Sequence, residues 1–414
     1  MKLPEDIKIV AFPGDHGGGG YYRIISPLKK LANYGYKIVI SDLIYKEIID
    51  WADILYFQRH TDKHILEQIK YAKENKKIIL YDVDDYFHDI PLSNPCWQII
   101  QKGSDTLKML ETIMGECDYI TVSTERLKKE YEKYNKNIHV FENYIDFYNV
   151  PPYTKNDDSF VRIIWTGSST HNDDFGVVFR VLCSFLKENN KAKFVTMGTP
   201  YSMNLVKYVN PNQLEYFEGT YGVDKAKKFS VFNGLYKPAE ISSEAVVCEQ
   251  DFYNLENNNI KYILRKKNGE SLTADLSKGF RDDVESYYRI LSALRGDIGI
   301  APLTMCTFNE CKSSIKLEEY SSFSIPFIAS PSSAYKKYSK CINFDESRKN
   351  GIGFLAETNS DWKKCLKFLY DNREAREEIG VRGYNYVKNN YNLNDKIKER
   401  HEFFLSIMNH QDNI

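Results

Sequence analysis

Between residues 297 and 320 the chain reads DIGIAPLTMCTFNECKSSIKLEEY. An apolar run stops at Pro302, a polar loop follows, and a helix-like segment carries two lysines and a cluster of glutamates. On a helix, Lys312, Lys316 and Glu319 fall at i, i+4 and i+7, so they share one face. A loop that feeds a helix N-terminus offers free backbone N–H groups and a positive dipole end, which suits a phosphate. Ser313 and Ser314 add hydroxyl or N–H donors at that helix start. Two cations and one anion on one face suit a ligand with a diphosphate and sugar hydroxyls, such as a nucleotide sugar. The bland alternative is a solvated, charged helix face.

Other residues offer matching chemistry. Gly167-Ser168-Ser169-Thr170-His171 follows an apolar run, and its small residues let backbone approach a ligand closely. His171 can donate to a phosphate or merely cap the next helix. Near the N-terminus, Gly17, Gly18, Gly19 and Gly20 precede Tyr21, Tyr22 and Arg23. Four consecutive glycines match many patterns and are no dinucleotide fingerprint. Arg23 on the first helical turn is expected to reach a phosphate in bidentate fashion, against a plain surface arginine. Gln58, Arg59 and His60 end a strand and are expected at the same cleft. Asp82-Val83-Asp84 looks like a metal-binding DxD, but the order of elements argues against the fold that uses one, so no metal is expected and Asp84 and Asp85 read as cleft-edge or structural carboxylates.

The elements that must position these groups alternate. Short apolar strands are predicted at 7–12, 37–40, 54–57, 78–81, 119–122 and 138–141, separated by helical patterns such as 22–34, 64–75 and 106–116. Pro151-Pro152 and the polar TKNDDS stretch make a linker-like break. The pattern restarts with strands at 161–165, 193–197, 298–301, 327–329 and 353–355, and a helix at 175–188. Alternation of this kind predicts an α/β chain of two tandem, Rossmann-like, doubly wound domains. The expected boundaries are 1–152, 153–390 and a closing helix at 391–414 that packs back on the first domain. A β-rich insertion is expected at about 218–280, where Asn268-Gly269 signals a hairpin.

Composition narrows the class. The chain has 414 residues, with 56 Lys plus Arg against 57 Asp plus Glu, so no strongly basic nucleic-acid binder is indicated. Its eight cysteines form no CxxC pair or zinc spacing and read as reduced thiols of a cytoplasmic protein. No signal-peptide pattern and no apolar run of about 18 residues is present. Abundant Lys, Asn, Ile and Tyr fit an AT-rich genome, a phage's among them.

Taken together, DIGIAPL at 297–303, FNECKSSIKLEEY at 308–320, SIPFIAS at 324–330, IIWTGSSTHNDDF at 163–175, YDVDDYF at 81–87 and ITVSTERLKK at 120–129 with FENYID at 141–146 resemble the retaining glycosyltransferases of family 4, which have the GT-B fold. The resemblance spans nearly the whole chain outside the insertion. It implies transfer of a sugar from a nucleotide-diphosphate donor, a UDP- or GDP-sugar, to a hydroxyl acceptor, with retention and no bound cofactor. It also implies a pair of glutamates eight positions apart. Glu310 and Glu318 have that spacing, but the register of the following residues puts Glu319 at the second position as ribose ligand and Cys311 at the first, a departure. Glu310 then remains a candidate for contact with the transferred sugar, and Lys316 for the charge on the leaving diphosphate. The acceptor stays open: polysaccharide, lipid, small molecule or, as for some phage enzymes of this fold, modified DNA. Lys225, Lys227, Lys228, Lys266 and Lys267 are then the phosphate contacts. A GT-B protein that binds a nucleotide sugar without catalysis, or an epimerase, is the remaining rival. Oligomeric state is not readable.

Overall fold

The computed structural model describes residues 2–15, 17–152, 158–217, 228–230, 261–265, 271–275 and 283–411. Its first sheet is built on β1 (Lys8–Phe12), β2 (Lys37–Ser41), β3 (Ile54–Gln58), β4 (Ile78–Asp82), β5 (Tyr119–Val122) and β6 (Ile138–Val140). They lie in the order β2-β1-β3-β4-β5-β6, and every pair is parallel. The second is built on β7 (Val161–Gly167), β8 (Ala192–Gly198) and β9 (Leu214–Phe217), with β10 (Lys228–Ser230) antiparallel at its edge. β11 (Lys261–Arg265) and β12 (Ser271–Asp275) come next in the chain. β13 (Ile298–Ala301), β14 (Phe327–Ala329) and β15 (Gly353–Leu355) complete the second sheet in the order β10-β9-β8-β7-β13-β14-β15. Strands β1 to β5, β7 to β9 and β13 to β15 are short and largely buried on both faces, as parallel strands covered by helices must be, while the edge strand β6 is partly open. β4 has all five residues buried. The two sheets are the two Rossmann-like layers that the alternation predicts.

Two local readings change. The predicted helix 22–34 is broken into a helical turn at Gly18–Gly20, a wide turn at Tyr21–Ile25 and a helix at Ser26–Ala32. Wide turns of this kind concentrate at functional sites. The hairpin signalled by Asn268-Gly269 has its strands, β11 and β12, paired antiparallel from Lys261↔Asp275 to Arg265↔Ser271. It extends the first sheet through β2, whereas the insertion was expected to belong to the second. The turn itself, with Lys266 and Lys267, lies outside the described residues, as do Lys225 and Lys227.

Two of the chain's passages between the sheets, the one after β6 and the one before the last helix, touch. Ile145 N–H donates to Tyr391 O and Leu393 N–H donates to Ile145 O, each at 2.9 Å. Beyond this point the helix Leu393–Gln411 lies on the first sheet, with Tyr36 Oη 3.1 Å from His401 Nδ1 and Arg400 Nη1 donating to Arg23 O at 3.0 Å. No described helix is long and apolar enough to cross a membrane.

Beneath the first sheet's cleft edge lies a buried polar hub. Arg23 is fully buried, and its guanidinium donates to Asp82 (Nη2–Oδ1 2.7 Å), to Asn143 Oδ1 (3.1 Å) and to Phe141 O. Asp82 also accepts from Thr121 Oγ1 at 2.6 Å. Burial would push the arginine down, but the Asp82 carboxylate more than compensates and holds it charged. Arg23 is therefore not the exposed phosphate ligand expected above: it points into the layer and ties β4 to the segment after β6. Removing one partner of such a pair strands a buried charge. Arg23→Leu is expected to lower the unfolding free energy by about 3–5 kcal/mol, read from urea denaturation of the full chain; a change near zero would contradict this placement.

Candidate active site

The C-terminal ends of the strands in both sheets border one cleft of about 510 Å³. In open parallel sheets this is where ligands bind. One wall is the glycine loop after β1. Asp15 Oδ1 accepts from Gly17 N (2.7 Å) and Gly20 N (3.2 Å), while Gln58 receives Gly14 N at 3.0 Å and donates to Gly19 O at 3.2 Å. A Cβ on Gly20 would sit 1.7 Å from Asp15 O, so no other residue fits that turn. Gly17, Gly18, Gly19 and Tyr22 face the cleft, and Gly20 turns into the core.

Arg59, just past β3, holds φ +57°, an unusual conformation for a side-chain-bearing residue. This bend turns its guanidinium back to Asp15 and to within 3.5 Å of Asp84. Asp84 and Asp85 both line the cleft, and burial raises the Asp84 carboxyl above its ordinary range although Arg59 opposes the shift. Lys312, on the opposite wall, comes within 3.5 Å of Asp85.

That opposite wall is the loop and helix Ile315–Ser322, with the loop after β7. Lys316 Nζ donates to Thr166 O at 2.5 Å and to Thr166 Oγ1 at 3.0 Å, which aims the ammonium at the Gly167-Ser168 turn. Burial lowers the lysine's affinity for its proton, and Glu319 restores part of it. Glu319 is buried, and burial raises its carboxyl. Its Oε1 accepts from Tyr22 Oη (2.8 Å) and its Oε2 from Tyr287 Oη (2.7 Å). Tyr288 Oη lies 2.6 Å from Tyr22 Oη, so with the Tyr22 proton on Glu319, Tyr288 is the donor to Tyr22. Each carboxylate oxygen keeps a second lone pair for a ligand hydroxyl.

His171 also lines the cleft, with Nδ1 2.7 Å from Asp174 Oδ2. Burial holds the imidazole below its ordinary range, and the Asp174 contact opposes this. Asp174 Oδ1 accepts from Thr304 N–H (2.7 Å), Thr304 Oγ1 (2.9 Å) and Asn309 Nδ2 (2.8 Å), so a single carboxylate fastens the loops after β7 and β13 together.

Of the residues singled out in the sequence, the cleft brings together Gly18, Gly19, Tyr22, Arg59, Asp84, Gly167, Ser168, His171, Lys312, Ser313, Lys316 and Glu319. Arg23 and Gly20 are buried behind it. Glu310 lies outside it: its Oε2 accepts from Ser333 N–H at 2.9 Å and from the Ser333 hydroxyl. Ser314 turns away and donates to Glu318 Oε1 at 2.7 Å. Glu318 is itself a buried structural carboxylate, shared with Tyr338 and Lys337. Cys311 is fully buried, and its thiol is pushed up to about 12. Gln58 is spent on the glycine loop. Asp15, Tyr287 and Tyr335, none of them singled out in the sequence, complete the site and its support, with Asn143 and Thr166 from the quoted motifs.

Neither a protein-family model nor a curated protein sequence matches the chain. Solved structures do match, over nearly all of it. A glycosyltransferase from Rickettsia africae superposes with a TM-score of 0.56 at 13% identity, covering 97% of this chain and 98% of its own. HepE of Anabaena, in complex with UDP and glucose, gives 0.55 at 9%, covering 97% and 100%. Sucrose-phosphate synthase from Thermosynechococcus elongatus gives 0.54 at 9%, covering 98% and 100%.

His60, behind Arg59, supplies a pH test of this wall. Its Nδ1 has no hydrogen-bond partner, and burial drives the imidazole from 6.5 down to about 4. Between those values the unfolded chain binds the proton that the folded chain refuses. Stability is therefore intact above pH 6.5 and is lost as the pH falls toward 4. His60→Phe is expected to be less sensitive to acid over this window, gaining up to roughly 3 kcal/mol on the wild type in denaturation series across pH. Parallel curves would show that His60 titrates normally. The similarity to solved structures, together with the two parallel sheets, shows that the chain has the GT-B fold.

Proposed function

We propose that this chain is a nucleotide-sugar-dependent glycosyltransferase, moving a glycosyl group from a nucleoside diphosphate to a hydroxyl acceptor. The observation that carries the reading is the pairing of Lys316 and Glu319 across one cleft wall from the glycine loop. A diphosphate placed at the Gly167-Ser168 turn meets Lys316, Lys312 and free backbone N–H groups. A ribose one helical turn deeper meets the open lone pairs of Glu319. UDP, present in the HepE structure, is the donor base to test first, and GDP the second.

The transfer breaks the bond between the anomeric carbon and the phosphate oxygen and forms one to the acceptor oxygen. The electron pair of the broken bond stays on the diphosphate, where fixed cations stabilise it. The acceptor proton passes to that same leaving oxygen, so no protein base is required. This route leads to retention, as the resemblance to family 4 implies. Closing the cleft excludes water, the competing acceptor.

A second reading, a donor-binding protein without transfer, is favoured by one observation. Cys311 stands where the resemblance implies an acidic residue, and its buried, protonated thiol does not replace a carboxylate. Release of free nucleotide from UDP- and GDP-sugars in the presence of acceptors separates the two.

Thermal unfolding with UDP, GDP, ADP and their sugars tests the site. A true donor at about 100 times its dissociation constant adds roughly 2.7 kcal/mol. Lys316→Ala and Glu319→Gln are expected to remove most of that gain while the unliganded variants stay folded. A gain equal to wild type in both variants would place the nucleotide elsewhere.

A further inference from the structure

A second cavity, of about 450 Å³, opens beside the main cleft. The two share Asn143, Ser313 and Ile315 as a common wall. Two of the second cavity's lining segments, 123–126 and 140–143, follow strands of the first sheet, and two, 310–315 and 333–337, belong to the second. Contacts across this seam hold its walls in place. Thr124 Oγ1 donates to Cys311 O at 2.9 Å, Asn143 Nδ2 to Ser313 Oγ at 3.0 Å, and Lys337 Nζ meets Glu142 at 3.0 Å. The volume is in the range of small-molecule sites.

We infer that this second cavity is the acceptor subsite, and that it takes a polyhydroxylated, carbohydrate-type acceptor. The inference rests on the donor reading given above. A molecule held there presents a hydroxyl through the shared wall to a sugar leaving the main cleft. The lining chemistry selects the class. Hydroxyls of Ser123, Thr124 and Ser333 and carboxylates of Glu125 and Glu310 are interspersed with Arg126 and Lys337. Sugar hydroxyls both donate and accept, and this mixture answers both roles. Glu310 borders the cavity, and its Oε2 accepts from Ser333 N–H at 2.9 Å, which fixes the carboxylate there. Among the described residues, no aromatic side chain lines the cavity, so they offer no platform for stacking a base. Of the described lining residues, Val140, Ile315 and Ala334 are the apolar ones, too few to hold a lipid chain.

Ligand-observed NMR on the full chain tests this. The probes are the methyl glycosides of glucose, galactose, mannose and N-acetylglucosamine, with dihexanoylphosphatidylcholine and a duplex oligonucleotide as the opposing arms. At least one glycoside is expected to bind the wild type. Its affinity is expected to fall about tenfold in Glu310→Gln and to vanish in Ala334→Trp, which fills the cavity. Stabilisation by UDP or GDP in Ala334→Trp reports separately on the donor cleft and on folding. Loss of nucleotide stabilisation in the wild type overturns the donor reading, whatever the glycosides do. Absence of glycoside binding, binding indifferent to both substitutions, or lipid or DNA binding that Ala334→Trp abolishes overturns the acceptor subsite.

Discussion

Parallel pairing is the constraint from which the rest follows. Each six-stranded core runs in one direction, so every strand delivers its following loop to the same edge. The Gly17–Gly20 loop, the Arg59 bend, the Asp84 and Asp85 pair and the Gly167 turn are thus gathered without being neighbours in the chain. A loop at a strand's end has unspent N–H groups, and a helix start adds more. The cleft is rich in donors before any side chain is considered. The sequence then adds few charges, and it places them where burial strengthens each one.

Those charges are balanced by neighbours rather than by water. Lys316 is held against Thr166, Glu319 between two phenols, and Arg59 between Asp15 and Asp84. Burial shifts Lys316 and Glu319 toward their neutral forms and opposite charges or hydroxyl donors partly return them, while the carboxylates around Arg59 more than offset its burial. Such groups are pre-oriented, so little reorganisation remains when a charged ligand arrives.

Most of the strands were legible because period and length speak for themselves: 298–301 and 161–165 are short, apolar and followed by breakers. The helix Ile315–Ser322 was legible because Lys316 and Glu319 fall at helical spacing, but Lys312, expected on the same helix, lies in the loop before it. What the sequence hid was depth. Arg23 follows a glycine loop as a phosphate ligand would, yet the wide turn at 21–25 swings it inward to Asp82. Glu310, Glu318 and Glu319 cluster in one short stretch and face three different ways: Glu310 ends a separate short helix, and Glu318 and Glu319 differ in phase on the next. Tyr287 acts on Thr166 and Glu319, far away in the chain, so nothing local marks it. The hairpin was visible in Asn268-Gly269, but which sheet it would join depended on which edge was open.

The paired passages at Ile145 and Asn392 carry a mechanical meaning. A single linker would leave the halves free to swivel about any axis. Two crossings zipped to each other make a shared joint, which restrains how the halves turn against each other more than one crossing alone would. That joint at one end of the gap and the Tyr22 phenol on the Glu319 carboxylate within it fix the two sides in one alignment.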